Sequence, residues 1–107
     1  MTSRHWRGLA KVEHADAYVA HLQADTFPAI RKLPGFVSAS ILRRPVPDGI
    51  EFLIVTNWTS VDAIRAFAGD DVETAVVPQM VQDMMVDYDR RVRHWEVVGS
   101  FAAGTGR

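Results

Sequence analysis

The side chains able to do chemistry are few and lie far apart along the chain. His94 and Glu96 stand two residues apart in Arg-Arg-Val-Arg-His-Trp-Glu-Val-Val (90–98), a run whose β-branched and aromatic content predicts a strand. At that spacing both project from one face. An imidazole that titrates near neutral pH beside a carboxylate can accept a proton, so His94 is the candidate catalytic residue. The competing reading makes it a structural or interface histidine. Three aromatic side chains, Trp6, Trp58 and Phe67, can enclose a flat ring. Arg7, Arg43 and Asn57 can hold an oxyanion. Met84, with Met80 and Met85 beside it, offers an adaptable apolar wall, though methionines also simply fill cores. The candidate substrate contacts are therefore Trp6, Arg7, Asn57, Trp58, Phe67 and Met84. Trp58 has core packing as its structural alternative. Arg43 can equally face solvent or a dimer rim.

Other constellations exclude more than they propose. With no cysteine, thiolate catalysis, disulfides, iron–sulfur clusters and thiolate zinc sites are ruled out. His14 and His21 lie seven apart on a predicted helix without a third ligand, and His94 with Glu96 supplies only two donors, so no metal is expected. Asp70, Asp71 and Glu73 read as a solvated acidic loop. Phosphate loop, dinucleotide fingerprint, nucleophile elbow and zinc-protease helix are all missing.

The elements that must position these residues centre on 50–69, where the period changes. Residues 50–58 predict a strand with Ile50, Phe52, Ile54 and Trp58 on one face and Leu53 and Val55 on the other. From Val61 the apolar residues fall at Val61, Ile64, Phe67 and Ala68, the stripe of an amphipathic helix. Thr59 or Ser60 caps it, Asp62 sits in its first turn and Gly69 ends it. Earlier, residues 4–12 predict a strand with Trp6, Gly8, Ala10 and Val12 on one face. The small residues beside Trp6 leave a hollow, for a close-packed helix or a ligand. Residues 14–32 predict a helix broken at 26–28 by Pro28. A strand over 36–44 and a turn at 45–49 lead into the central strand. A third helix is expected over 78–87, a last strand over 90–98 and a mobile tail over 99–107.

The order β-α-β-β-α-(α)-β is the split βαβ, ferredoxin-like α+β plan: a four-stranded antiparallel sheet with helices on one face. Apolar residues on both faces of strand 50–58 imply that the other face is covered too, and a second copy of the chain is the expected cover. At 107 residues the chain makes one domain, placed at 4–98. Its 12 basic and 13 acidic residues leave a net charge of −1, which argues against a nucleic-acid partner. Charged residues interrupt the N-terminal stretch and no apolar run can span a bilayer, so neither a signal peptide nor a membrane association is expected and a cytoplasmic protein is.

Several segments together carry a resemblance: Trp6-Arg7-Gly8, Ala15-Asp16-Ala17-Tyr18, Leu33-Pro34-Gly35-Phe36, Ile41-Leu42-Arg43-Arg44, Glu51-Phe52-Leu53, residues 62–69, Ala75-Val76-Val77-Pro78 and His94-Trp95-Glu96-Val97. Across 4–98 the chain resembles the antibiotic biosynthesis monooxygenase family of dimeric α+β barrels. The resemblance implies a homodimer joined sheet to sheet, with a cleft between helices and sheet in each copy. It implies oxidation of an aromatic or quinol-like molecule by O2 without metal, flavin or other cofactor. The alternative is a non-catalytic barrel that binds a small hydrophobic molecule or assists another enzyme. The heme-degrading branch uses an Asn, a Trp and a His whose places fall here at Trp6, Phe67 and Val77, so heme degradation of that type is not expected.

Overall fold

The protein, seen in a computed structural model, is described over residues 1–104. The elements are β1 (Thr2–Ala10), α1 (Ala15–His21), α2 (Phe27–Ile30), β2 (Phe36–Val46), β3 (Gly49–Trp58), α3 (Val61–Ala68), α4 (Gln79–Met84), β4 (Met85–Tyr88) and β5 (Arg93–Glu96). The sheet runs β2-β3-β1-β4, entirely antiparallel, and β5 also pairs with β1. Two short strands thus share one edge of β1: β4 opposite Gly8–Ala10 and β5 opposite Thr2–His5. This is the ferredoxin-like α+β fold, its fourth strand in two pieces.

Three local departures from the expected elements have physical causes. First, the helix expected over 78–87 stops at Met84 and the chain becomes β4. Extended backbone there satisfies edge groups of β1 that a helix would leave open. Second, the last strand, expected over 90–98, is confined to Arg93–Glu96. The Asp89 N–H donates to the Arg7 carbonyl at 2.9 Å, and then the chain swings out to meet residues 73–75, where the Val92 N–H donates to the Glu73 carbonyl at 2.8 Å. Third, the first helix carries a wide turn at Leu22–Thr26, where the Phe27 N–H reaches back five residues to the Leu22 carbonyl. Pro28 has no N–H for a normal helical bond, and the wide turn delivers it to the start of α2, where none is needed. Val12, expected in β1, instead opens a 3-10 turn and is 66% exposed.

Helix α3 forms as its residues dictate. The Ser60 hydroxyl accepts from the Ala63 N–H at 3.2 Å, Ile64 is fully buried and Gly69 closes the helix at φ 85°. The core has two clusters between helices and sheet. Ala10, Tyr18, Leu22, Phe52, Ile54, Val81 and Met85 form one, and Ile30, Trp58 and Ile64 form the other. Residues 99–104 lie outside helix and strand, and the remainder of the expected tail, 105–107, is outside the described residues.

Candidate active-site cleft

Strand alternation puts Arg4, Trp6, Gly8 and Ala10 of β1 and Phe52, Ile54, Thr56 and Trp58 of β3 on the helix side of the sheet. Between this face and the helices runs a cleft of about 330 Å³. Its walls are Trp6 from the sheet, Tyr18 and Leu22 from the first helix, Ile30 from α2, Phe67 from α3, and Val76, Val77 and Val81 around the start of α4. A smaller lobe of about 60 Å³ continues inward, sharing Trp6, Tyr18 and Phe67 and adding Arg4, Ile54, Thr56 and Val92.

Trp6 is shaped by its neighbour. The indole lies along the strand over Gly8, so close that a Cβ on residue 8 would sit 2.4 Å from Trp6 Cη2. The hollow beside Trp6 is therefore filled by its own ring. The ring is tethered at its far edge, where Nε1 donates to the Asp89 carbonyl at 2.8 Å. Tyr18 stands 6.1 Å from it, ring to ring, and meets Phe52 edge to face at 4.9 Å. Burial pushes the Tyr18 phenol well above its usual pKa, so it stays protonated and cannot serve as a base.

Arg4 ends the inner lobe. It is 4% exposed, with its guanidinium 5.5 Å from the centre of the Phe67 ring. Nη1 donates to the Val72 carbonyl and to His94 Nε2, the latter at 3.0 Å, and Nη2 donates to the Thr74 carbonyl at 2.7 Å. Among the described residues no carboxylate oxygen lies within 4.0 Å of it. Burial lowers its pKa to about 10, so it remains a cation at neutral pH.

His94 thus sits behind Arg4, outside the cleft lining. A guanidinium can only donate, so His94 Nε2 is the acceptor and the ring proton is on Nδ1. Burial, then the charge of Arg4, lowers the His94 pKa, which keeps the ring neutral. Its Nε2 lone pair is already engaged with Arg4.

The other sequence candidates scatter. Phe67 lines the cleft beside Trp6 and stacks on Trp58 at 6.1 Å. Trp58 is fully buried behind it and donates Nε1 to Thr56 Oγ1 at 3.0 Å, so its place is the core. Arg7 and Asn57 lie on the opposite face of the sheet. Arg7 pairs with Glu51 at 2.5 Å, beside Arg44 on the same carboxylate at 2.6 Å, and Asn57 donates to Ser38 Oγ at 3.0 Å. Odd numbering in β1 and β3 turned both away from the helices. Met84 packs against the first core cluster at the end of α4, and Val81, one turn earlier, takes the place on the cleft wall. Arg43 pairs with Asp16 at 2.8 Å on an exposed rim. Sequence reasoning missed Arg4, although it shares strand parity with Trp6.

That opposite face exposes Leu42 and Trp95, beside half-buried Leu53 and Val55. His21 Nδ1 lies 3.2 Å from Asp25, at an angle that makes no hydrogen bond. Among the described residues no three metal-ligating side chains converge, and no helix is long and apolar enough to cross a membrane.

Comparison with known proteins bears on this cleft. The model of the antibiotic biosynthesis monooxygenase family matches residues 8–77. Comparison with curated proteins gives no match. Among solved structures, a Bacillus cereus protein assigned as an antibiotic biosynthesis monooxygenase superposes with a TM-score of 0.68 at 20% identity, covering 98% of each chain. A monooxygenase of Streptomyces coelicolor in complex with nanaomycin D gives 0.65 at 17% identity, over 96% of this chain and 92% of that one. The heme-degrader MhuD of Mycobacterium tuberculosis, with two hemes bound in its active site, gives 0.61 at 20% identity, over 95% and 100%. At such identities these likenesses speak for the fold.

Proposed function

The chain belongs to the antibiotic biosynthesis monooxygenase family, and from that premise we propose that it is a small oxygenase acting with O2, without metal or flavin, on a flat aromatic or quinol-like molecule in the cleft. What supports this is the cleft itself: an apolar slot with Trp6 and Phe67 on its walls and one cation at its inner end. An electron-rich phenol seated there ionises, and the phenolate passes an electron to O2. The radical pair joins as a hydroperoxide on a ring carbon. Loss of water leaves a carbonyl, so that one CH2 and one O2 become one C=O and one H2O. The protein's part is to hold the ring, exclude water and stabilise the oxyanion.

The proton poses the sharper question. The polar residues lining the cleft are Arg4, Tyr18, Thr26 and Thr56, and none can act as a base at neutral pH. Ionisation therefore rests on the positive field of Arg4, which favours the substrate's anion, its proton given up to bulk solvent before the ring is enclosed. The same fact favours a second reading, a binding protein with no chemistry of its own. In either case we infer a dimer, in which the face bearing Leu42, Leu53 and Val55 is covered by a second copy.

The test is oxygen uptake over a panel of hydroquinones and anthrone-like phenols, with Phe67→Ala and His94→Ala beside the wild type. Uptake that falls in Phe67→Ala supports the oxygenase. Saturable binding without uptake on any substrate leaves the binding protein.

A further inference from the structure

Arg4 raises a question that the apolar cleft does not answer. A buried cation is costly unless something compensates it, and long charged side chains are almost never fully buried without a partner. Here the partners are two carbonyls and an imidazole, with no anion among the described residues. A guanidinium has five N–H donors. Both on Nη1 and one on Nη2 are engaged, so Nε–H and the second Nη2–H have no acceptor among the described residues. The group is held rigidly from behind by Val72, Thr74 and His94, and it lines the inner lobe that Trp6 and Phe67 also line. A cation kept dry, fixed in place and with donors to spare is arranged to receive an anionic oxygen.

Building on the proposed occupancy of the cleft by an aromatic molecule, we propose that Arg4 restricts it to rings carrying an ionised acidic oxygen, a carboxylate or a phenolate, bound with that oxygen inward against the guanidinium. The ring then lies between Trp6 and Phe67, and its far edge lies in the larger outer part of the cleft, which Leu33 and Pro78 also line. His94 is a positioning residue, since its Nε2 lone pair holds Nη1 in place.

Matched probes test this on the folded wild-type protein: 2-naphthoate, its methyl ester and 2-naphthol, titrated at pH 7.5 by calorimetry. Charge-assisted hydrogen bonds should make the acid bind at least about tenfold more tightly than the ester. Arg4→Met should abolish the preference and Arg4→Lys should keep part of it, with thermal melts checking that each variant folds. Arg7→Ala, on the opposite face, should leave the preference intact. Equal binding of acid and ester, or a preference that survives in Arg4→Met, overturns the role of Arg4 while the aromatic cleft stands. Binding of none of the three overturns both. Because acid and ester are compared on the wild type, failure of Arg4→Met to fold does not remove the test.

Discussion

Gly8→Ala is the smallest change that reaches the cleft, and its effect can be worked out from the ring lying over it. The new methyl would stand 2.4 Å from Trp6 Cη2 and 2.8 Å from Cζ3. Carbon atoms settle at about 3.5–4.0 Å, so the indole must retreat by roughly 1 Å. It cannot retreat freely, because Nε1 is bonded to the Asp89 carbonyl at 2.8 Å and a shift of that size takes the bond out of range. Overpacking of this kind costs about 1–3 kcal/mol. Alanine returns about 0.5–1 kcal/mol through the lower entropy of its unfolded chain. The net loss is about 0–2.5 kcal/mol, about 1 at the middle of both ranges, and each 1 kcal/mol lowers Tm by about 4–8 °C for a domain this size. A double-mutant cycle with Trp6→Phe isolates the cause. Phenylalanine has no atom at the Cη2 position, so in that background the tightest neighbour left is Met85 Sδ, 3.2 Å from the new methyl on a flexible side chain, and Gly8→Ala should cost far less. Thermal melts by circular dichroism supply all four corners. If Gly8→Ala costs the same with Trp6 as with Phe, to within about 0.5 kcal/mol, the ring does not lie over Gly8 and this account of the cleft wall is refuted.

Three further outcomes follow from the same geometry. His94 and His5 both have pKa values lowered by burial from 6.5, in His94 with a smaller push from Arg4. The unfolded chain then binds protons that the folded one refuses, so their stabilisation is complete above about pH 6.5 and lost as pH falls through the folded values. Tm should be flat from pH 7 to 8 and drop below about 6.5, and His94→Gln should shrink that drop; an unchanged profile in His94→Gln would exclude His94 as its source. Light scattering at micromolar concentration should give a dimer for the wild type and a monomer for Leu53→Glu, whereas a monomeric wild type would remove the proposed interface. Haemin should give no tight, saturable one-to-one Soret shift, because no imidazole lines the cleft and Val77 lies where the resemblance places the iron ligand.

Local patterns foretold much of this molecule because the forces behind them are local. The alternation of Phe52, Ile54 and Trp58 against Leu53 and Val55 fixed both faces of β3, and Ser60 with Gly69 bounded α3. The sites that escaped are those decided by partners far along the chain. Nothing in Met85-Val-Asp-Tyr88 opposes a helix strongly; it is the open edge of β1, some 75 residues earlier, that draws it into a strand. Arg7 and Asn57 look suited to hold an oxyanion, and only the parity of their strands turns them outward.

Arg4 shows the same limit from the other side. It has the parity of Trp6, so alternation alone places it among the cleft residues. A charged residue at the end of a predicted strand is nonetheless read as solvent-facing, because burying it is ordinarily too costly. What reverses that expectation is a pair of carbonyls at Val72 and Thr74 and an imidazole at His94, all on segments that no local pattern joins to β1. Those three acceptors carry no negative charge to set against the guanidinium, and burial lowers the pKa of Arg4. An arginine kept for stability alone would gain from an acidic neighbour, and none of the described acidic side chains reaches it. The uncompensated charge makes sense if the missing anion arrives with the ligand, so that the part of the cleft least legible in the sequence is also the part that selects what enters it.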